Sequence, residues 1–218
     1  MKKTTAPKTL TTLKTAKTII DANEFLQLRR EISEYDAARD TIIKESRDIT
    51  KSSKSAIYSL HRGETLAAKQ QLVAAEKLIA KLLKEVEKDE HLRGGSFSAS
   101  LEEYAEAKAF LRFLEDGTLI TKKELKVVNA EEYLLGLCDF TGELVRYAVL
   151  RATARDKKAV QDVRNIIDAI HGQLLQFDLR NGELRKKYDS IKYNLQKAEN
   201  TLYDLTLNPR GSKEADDA

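Results

Sequence analysis

Apolar residues recur along most of the chain at intervals of three and four, the spacing that places them on one face of an α-helix. Breaks in this pattern fall at Gly63-Glu64 and Gly94-Gly95, and the only two prolines, Pro7 and Pro209, lie near the ends. The sequence therefore predicts an all-α fold, because strands would need more turn signals than these. Seven helices are expected: 22–62, 64–89, a third capped by Ser98 or Ser100 that ends near Gly117, a short turn of helix at 122–126, then 130–153, 156–176 and 181–207.

The composition is that of one helical domain with short extensions. The chain has 218 residues, 33% of them charged, and a net charge of +3, which permits nucleic-acid binding without arguing for it. We expect an all-helical domain at 22–208, a flexible Lys/Thr-rich basic arm at 1–21 and a disordered tail at 209–218. The single cysteine excludes an intramolecular disulfide. No apolar run approaches the roughly 20 residues of a membrane span, and no secretory signal is visible, so we predict a cytoplasmic protein with no membrane partner.

Two acidic residues continue the apolar face of the third predicted helix. Glu103 and Glu106 are spaced i, i+3, which points both side chains the same way. They share that face with Ala107, Phe110 and Phe113. A carboxylate at such a position costs free energy unless a cation or a metal compensates it. These two acids are therefore candidate metal ligands.

A second acidic pair lies on the helix predicted at 130–153. Asp139, Glu143 and Arg146 form a narrow polar stripe on an otherwise apolar surface, and Gly136 beside them would let another backbone approach closely. Two helices that each offer two inward carboxylates are one way in which helix bundles assemble metal sites. Since no His or Cys is clearly on the same stripe, the ligands would be oxygen atoms, which suit Mg²⁺ or Mn²⁺.

A structural explanation of the four acids stays open at this point. They could pair with arginines of neighbouring helices, for which Arg112, Arg146 and Arg151 are available. The chain would then be a helical bundle without a metal. The three histidines are scattered and no Glu-x-x-His occurs, which argues against a ferritin-like di-iron centre.

One face of the first predicted helix is basic and carries an aromatic ring. Positive charge beside a ring on which bases can stack suits single-stranded nucleic acid. An ordinary solvated face is an equally good explanation. The candidate nucleic-acid-binding residues are the stripe Arg47, Lys51, Lys54, Tyr58 and His61, together with His91 and Arg93.

Four blocks between about residues 25 and 210 resemble the translin/TRAX family, closest to its TRAX (translin-associated factor) branch. SRDITKSSKSAIYSLHR (46–62) resembles the first-helix segment of TRAX, and LEEYAEA (101–107) resembles its acidic segment. EYLLGLCDFTGELVR (132–146) resembles its most recognisable block. The segment 184–204 is similar to both translin and TRAX. The compact chain looks like an archaeal member of the family.

The resemblance implies an all-α fold of seven helices that assembles into a hollow, roughly octameric shell with its active sites facing the cavity. It implies a Mg²⁺-dependent endoribonuclease for single-stranded RNA in TRAX-like subunits, and binding of single-stranded RNA and DNA in translin-like ones. By match to the family motifs, Glu103, Glu106 and Asp139 are the expected catalytic and metal-binding acids, and Glu143 is a further ligand candidate. A short connection, 119–130, replaces the long acidic insertion of TRAX. We expect a homo-oligomer in which the same subunit binds and cuts RNA.

We therefore predict an endoribonuclease in which clustered carboxylates support attack by a metal-activated water on single-stranded RNA. Two alternatives stay open. A non-catalytic binding protein, like translin, would not need the four acids. An all-α nucleoside-triphosphate pyrophosphohydrolase would use Glu-x-x-Glu followed by Glu-x-x-Asp. Glu103 and Glu106 match the first half of that pattern, whereas Asp139 and Glu143 have the wrong order and spacing for the second.

Overall fold

The structure, a computed structural model, describes residues 21–207, and every regular element in this range is helical. The predicted all-α class is confirmed. No helix within 21–207 is long and apolar enough to cross a membrane. The flexible arm expected at 1–21 and the disordered tail expected at 209–218 lie, except for Asp21, outside the described residues. The α-helices are α1 Ala22–His61, α2 Thr65–Val86, α3 Ser96–Asp116, α4 Ala130–Thr153, α5 Lys157–Leu174 and α6 Glu183–Leu207, with a 3₁₀ helix at Glu90–Arg93.

The described residues therefore hold six α-helices, and the short helix expected at 122–126 is absent from them. That segment forms hydrogen-bonded turns instead, in which the N–H groups of Glu124 and Leu125 both donate to the carbonyl of Thr121. The Glu124 carboxylate accepts from the Thr121 N–H at 2.8 Å, which closes the turn locally. A helix cannot continue because Asn129 already caps α4, where its side chain accepts a hydrogen bond from the Glu132 N–H.

The chain divides into two compact units at Thr41 and Ile42. The first contains the beginning of α1, where nearly all described side chains are exposed. Phe25, Leu28 and Ile32 expose 60%, 44% and 62% of their surface. Their i, i+3, i+7 spacing puts them on one helix face. An apolar face left in water within one chain is a surface on which another chain can pack.

Helix α4 forms the centre of the second unit, where it packs on α3, α5 and α6. Phe140 and Leu144 of α4 are fully enclosed, as is Phe110 of α3. The Phe110 ring lies 6.4 Å from that of Phe140 and 6.1 Å from that of Tyr147. This aromatic core fixes α3 against α4, which are the two helices that carry the four predicted acids.

Gly136 sets the distance between α3 and α4. A Cβ atom at this position would lie 2.7 Å from the backbone oxygen of Glu102 and 2.8 Å from the Cβ of Ala105. Real Cβ atoms do not approach so closely, so only glycine allows the two backbones to touch here. The interpretation of Gly136 as a point of close approach is confirmed. As a consequence, the α3 acids lie directly opposite Asp139 and Glu143.

Candidate metal and nucleic-acid site

A cleft of about 670 Å³ opens between α1, α3, α4 and α6. All four acids predicted from the sequence lie on its wall. The helices bring together residues that are far apart in the chain, because α3 and α4 supply the acids while α1 and α6 supply the flanks. The lining residues are Lys54, Ile57, Tyr58, Glu103, Glu106, Cys138, Asp139, Gly142, Glu143, Arg146, Ser190 and Asn194.

Glu106 is the most buried of these acids. It is 7% exposed and makes no hydrogen bond or ion pair with another residue of the described range. Burial, and to a lesser extent the charges of Asp139, Glu103 and Glu143, together raise the pKa of its carboxyl from 4.5 to about 9, against a smaller opposing effect of Lys187. An ionised Glu106 therefore lacks a compensating positive charge, which a cation in the cleft would supply.

Each of the other three acids has a basic side chain as a neighbour. Lys54 Nζ lies 3.0 Å from Glu103, and Lys187 Nζ donates to Asp139 at 2.7 Å. Glu143 faces His61, whose Nε2 lies 2.5 Å from its Oε2. The ion-pairing explanation therefore holds in part for these three acids and does not hold for Glu106.

The arginines named for that pairing are mostly used elsewhere. Only Arg146 reaches one of the acids, with its Nη1 3.5 Å from Glu143. Arg112 pairs with Asp116 and Glu124 on the surface, and Arg151 pairs with Asp156. The cations that face the acids come instead from α1 and α6.

Lys187 and its second partner, Glu102, were not predicted from the sequence. Lys187 Nζ also donates to the Glu102 carboxylate at 3.1 Å, so one ammonium bridges α3 and α4. Burial lowers the pKa of Lys187, but its hydrogen bonds and charge interactions with Asp139 and Glu102 outweigh this and raise it. A signal was present in the sequence, because Lys187 lies on the same face of α6 as the buried Ile191 and Ala198.

His61 does not belong to an exposed basic stripe. Its side chain is 7% exposed, and its ring packs against Phe110 with the centroids 4.7 Å apart. The hydrogen bond from His61 lowers the pKa of Glu143, against the opposing effect of burial. His61 thus holds the Glu143 carboxylate from behind the cleft.

The remaining residues of the α1 stripe lie on the outside. Arg47 and Lys51 are exposed, and Lys54 and Tyr58 line the cleft. The Tyr58 ring is 56% exposed, with the Arg62 guanidinium 5.6 Å from its centroid. A positive and aromatic edge therefore leads directly to the acids.

The other two basic candidates lie apart from this stripe. His91 is exposed in the 3₁₀ helix. Arg93 binds the buried Glu132, donating from Nη2 to Oε2 at 2.6 Å and from Nε to Oε1 at 3.1 Å. Ser98 also donates to Glu132. Because the Arg93 guanidinium donates both of these hydrogen bonds, the Arg93 side chain links the start of α4 to the 3₁₀ helix.

Cys138 lines the cleft beside Asp139 without being activated. It is 2% exposed, and burial raises the pKa of its thiol to about 12. A thiol of this kind stays protonated near neutral pH and is a poor nucleophile. Cys138 therefore serves as a small apolar residue.

The carboxylate oxygens of the four acids are the kind of ligand that a hard divalent cation prefers, although these side chains do not converge on one point. Within residues 21–207, no group of three or more His, Cys, Asp or Glu side chains is arranged to hold a metal ion. Mg²⁺ needs fewer, since it keeps several water molecules and commonly takes one or two carboxylates together with phosphate oxygens of a substrate. The buried, unpartnered Glu106 and the neighbouring Asp139 meet that need.

Comparison with known proteins gives consistent matches over most of the chain. The Translin family model matches residues 37–209. The Translin-associated protein X homolog of Schizosaccharomyces pombe is 28% identical over 202 residues, which cover 84% of this chain and 87% of that protein. Human Translin is 30% identical over 112 residues, which cover 45% of this chain and 49% of Translin.

Solved structures share the fold. The crystal structure of apo-NeC3PO superposes with a TM-score of 0.78 at 23% identity, covering 85% of this chain and 98% of that one. The AfC3PO–duplex RNA complex superposes with a TM-score of 0.71 at 22% identity, covering 84% and 97% of the two chains.

Proposed function

This chain belongs to the translin family, and from that premise we propose that it is a divalent-metal-dependent endoribonuclease that binds and cleaves single-stranded RNA. The observation that carries the proposal is the meeting of Glu103, Glu106, Asp139 and Glu143 on one cleft. A protein that only bound RNA would gain nothing from placing four acidic side chains where a phosphate must approach. The alignment with the S. pombe protein X homolog, which spans 84% of this chain, also favours this branch of the family.

Each acid has a distinct part in the proposal. Glu103, Glu106 and Asp139 would hold Mg²⁺, for which Mn²⁺ could substitute, and Glu143 would be a further ligand or would orient a water molecule. The bound ion would neutralise charge on the phosphate and lower the pKa of a water molecule bound to it, which makes hydroxide more available for attack. His61 keeps the Glu143 carboxylate in place through the 2.5 Å contact. Attack by water in line with the leaving oxygen gives products with a 5′-phosphate and a 3′-hydroxyl.

RNA would reach the acids along the edge formed by Arg47, Lys51, Lys54 and Tyr58. The exposed Tyr58 ring offers a stacking surface for a base, and the lysines offer contacts to phosphates. His91 remains a candidate contact because it is exposed, whereas His61 and Arg93 are engaged with carboxylates. AfC3PO has been crystallised with duplex RNA, so duplex RNA and single-stranded DNA belong in the test beside single-stranded RNA.

The proposal includes assembly into a homo-oligomer, as a hollow octamer with the clefts facing its interior. The apolar face of Phe25, Leu28 and Ile32 supports association with a second copy, since it is exposed within one chain. Light scattering coupled to gel filtration measures the mass directly, and a mass of eight chains is expected. A monomer at micromolar concentration would refute the assembly without touching the cleft.

The experiment that tests the function is cleavage of an end-labelled, single-stranded RNA by the purified full-length protein in Mg²⁺ and in EDTA. We expect Mg²⁺-dependent cleavage that leaves a 5′-phosphate, with duplex RNA and single-stranded DNA cut more slowly. Tight RNA binding without cleavage in either Mg²⁺ or Mn²⁺ would instead make this a translin-like binding protein. Release of pyrophosphate from free nucleoside triphosphates in the same preparation would identify the pyrophosphohydrolase alternative.

Lys51→Gln is expected to weaken RNA binding by removing one phosphate contact. The affinity should fall several-fold at low salt, and the slope of log affinity against log salt should become shallower by about 1, as one fewer counterion is released. Binding would be measured by fluorescence anisotropy in EDTA, so that no RNA is cut. Lys77→Gln on α2 is the matched control, because Lys77 is exposed and outside the cleft. Equal salt slopes for the two variants would remove the α1 edge from the RNA path.

A further inference from the structure

The ammonium group of Lys187 contacts Asp139, one of the acids of the proposed metal site. It lies 2.7 Å from Asp139 Oδ2 and 3.1 Å from Glu102 Oε2, with only 25% of its side chain exposed. Lys54, which pairs with Glu103 at the other wall of the cleft, is 62% exposed. A pair open to solvent breaks easily, whereas Lys187 is held between two helices by two carboxylates.

Asp139 cannot serve this ammonium and a divalent cation at the same time without strong repulsion. Two positive charges on one carboxylate, a few ångströms apart and partly buried, destabilise each other. Either the metal is bound without Asp139, or the ammonium moves when the metal enters.

Glu102 makes the movement possible. It contacts Lys187 and is not one of the acids that line the cleft. Its side chain is 16% exposed, and its backbone is fixed by the contact of α3 with Gly136. A lysine that leaves Asp139 therefore keeps one partner and stays within the site.

We propose that Lys187 is the resident counter-ion of this site: it neutralises Asp139 in the metal-free protein, and it yields Asp139 to an entering divalent cation while Glu102 retains it. The inference rests on the metal site of the proposed function. In this arrangement the metal and the Lys187 ammonium compete for one carboxylate. Before the metal binds, Lys187 compensates the charge of Asp139, so that not every acid of the cleft is left without a counter-charge.

The competition predicts that a neutral residue at position 187 tightens metal binding. Lys187→Gln should bind Mn²⁺ on the order of tenfold more tightly than the unaltered protein, since one competing cation has gone. Lys187→Arg keeps the positive charge, and its guanidinium can donate two hydrogen bonds to Asp139. This variant should bind Mn²⁺ no more tightly than the unaltered protein. Lys192→Gln is the control for net charge, because Lys192 lies on the same helix, exposed and outside the cleft.

A double-mutant cycle separates retention of Lys187 by Glu102 from direct metal binding by Glu102. Glu102→Gln alone should weaken Mn²⁺ binding, because Asp139 is then the only one of its two carboxylate partners left to Lys187, which competes more strongly with the metal for it. In the Lys187→Gln background the same change should have no effect. If Glu102 were itself a ligand, its replacement would weaken Mn²⁺ binding in both backgrounds.

The measurement is titration of full-length protein with Mn²⁺, following free Mn²⁺ by electron paramagnetic resonance in the absence of RNA, with thermal unfolding to show that each variant is folded. Tighter binding by Lys187→Gln and a non-additive cycle are the expected results. If the unaltered protein binds Mn²⁺ and a folded Lys187→Gln binds it equally or more weakly, the counter-ion role is wrong and the metal site stands. If neither protein binds Mn²⁺, the proposed metal site itself fails.

Discussion

Replacing Glu106 with Gln should lower the rate of RNA cleavage by at least about 100-fold, since even residues that only support a metal ligand are worth 10- to 100-fold. Gln keeps the shape of the side chain and removes its charge, so RNA affinity in EDTA should stay within about threefold of the unaltered protein. Cleavage and binding would be measured on the same labelled RNA. A rate for Glu106→Gln equal to that of the unaltered protein would overturn the proposed site.

The same substitution should stabilise the metal-free protein at high pH. The pKa of Glu106 is raised from 4.5 to about 9 in the folded state, so between these values the folded protein binds more protons than the unfolded one. The free energy of unfolding therefore falls as pH rises through this window. Gln does not ionise, and Glu106→Gln should be more stable by on the order of 2 kcal/mol at pH 8, with little difference at pH 4.

Glu115→Gln is the matched control for both measurements. Glu115 lies on the same helix, outside the cleft, and pairs with Lys69 on the surface. Its loss should leave cleavage unchanged and should alter stability by less than about 1 kcal/mol. If Glu106→Gln lost activity and also became less stable at pH 8, this carboxylate would have a structural role. A gain in stability at pH 8, which we expect, would exclude that role.

The sequence predicts the acids of this site well because their positions depend on helix periodicity. Glu103 and Glu106 share a face with buried phenylalanines, and Asp139 and Glu143 lie on an otherwise apolar helix, so all four had to point inward. The close approach of another backbone at Gly136 could be predicted for the same reason. Each of these inferences concerns residues within one or two turns of one helix.

The counter-charges of the site could not be predicted in this way. Lys187 lies 48 residues from Asp139 and 85 from Glu102, so the contact depends on how α6 crosses α3 and α4. His61 fits the exposed stripe by its angle on the helix, but as the last residue of α1 it turns its ring towards Phe110 and Glu143. The position of a residue on its helix gives the direction of its side chain. Which neighbour that side chain meets depends on how the other helices pack.

The packing at Gly136 gives the second large effect. Gly136→Ala adds a methyl group that would lie 2.7 Å from the Glu102 backbone oxygen, where no flexible side chain can move aside. Helices α3 and α4 must separate, which should cost about 1–3 kcal/mol of stability, as overpacking does, against a gain in helix propensity of roughly 0.5–1 kcal/mol. Chemical denaturation measures the balance, and a net loss is expected.

Cleavage should be reduced more than stability, because the acids that we propose as metal ligands come from both helices that Gly136→Ala forces apart. A displacement of about 1 Å can cost roughly 100-fold in rate, so a folded Gly136→Ala protein should cleave RNA on the order of 100-fold more slowly while binding it normally in EDTA. Gly172→Ala in α5 is the control, since a Cβ there meets no atom within 4 Å, and it should lose neither stability nor activity. If Gly136→Ala cleaves at the unaltered rate, then the α3 and α4 acids do not act on one metal, and the close approach of the two helices serves packing alone.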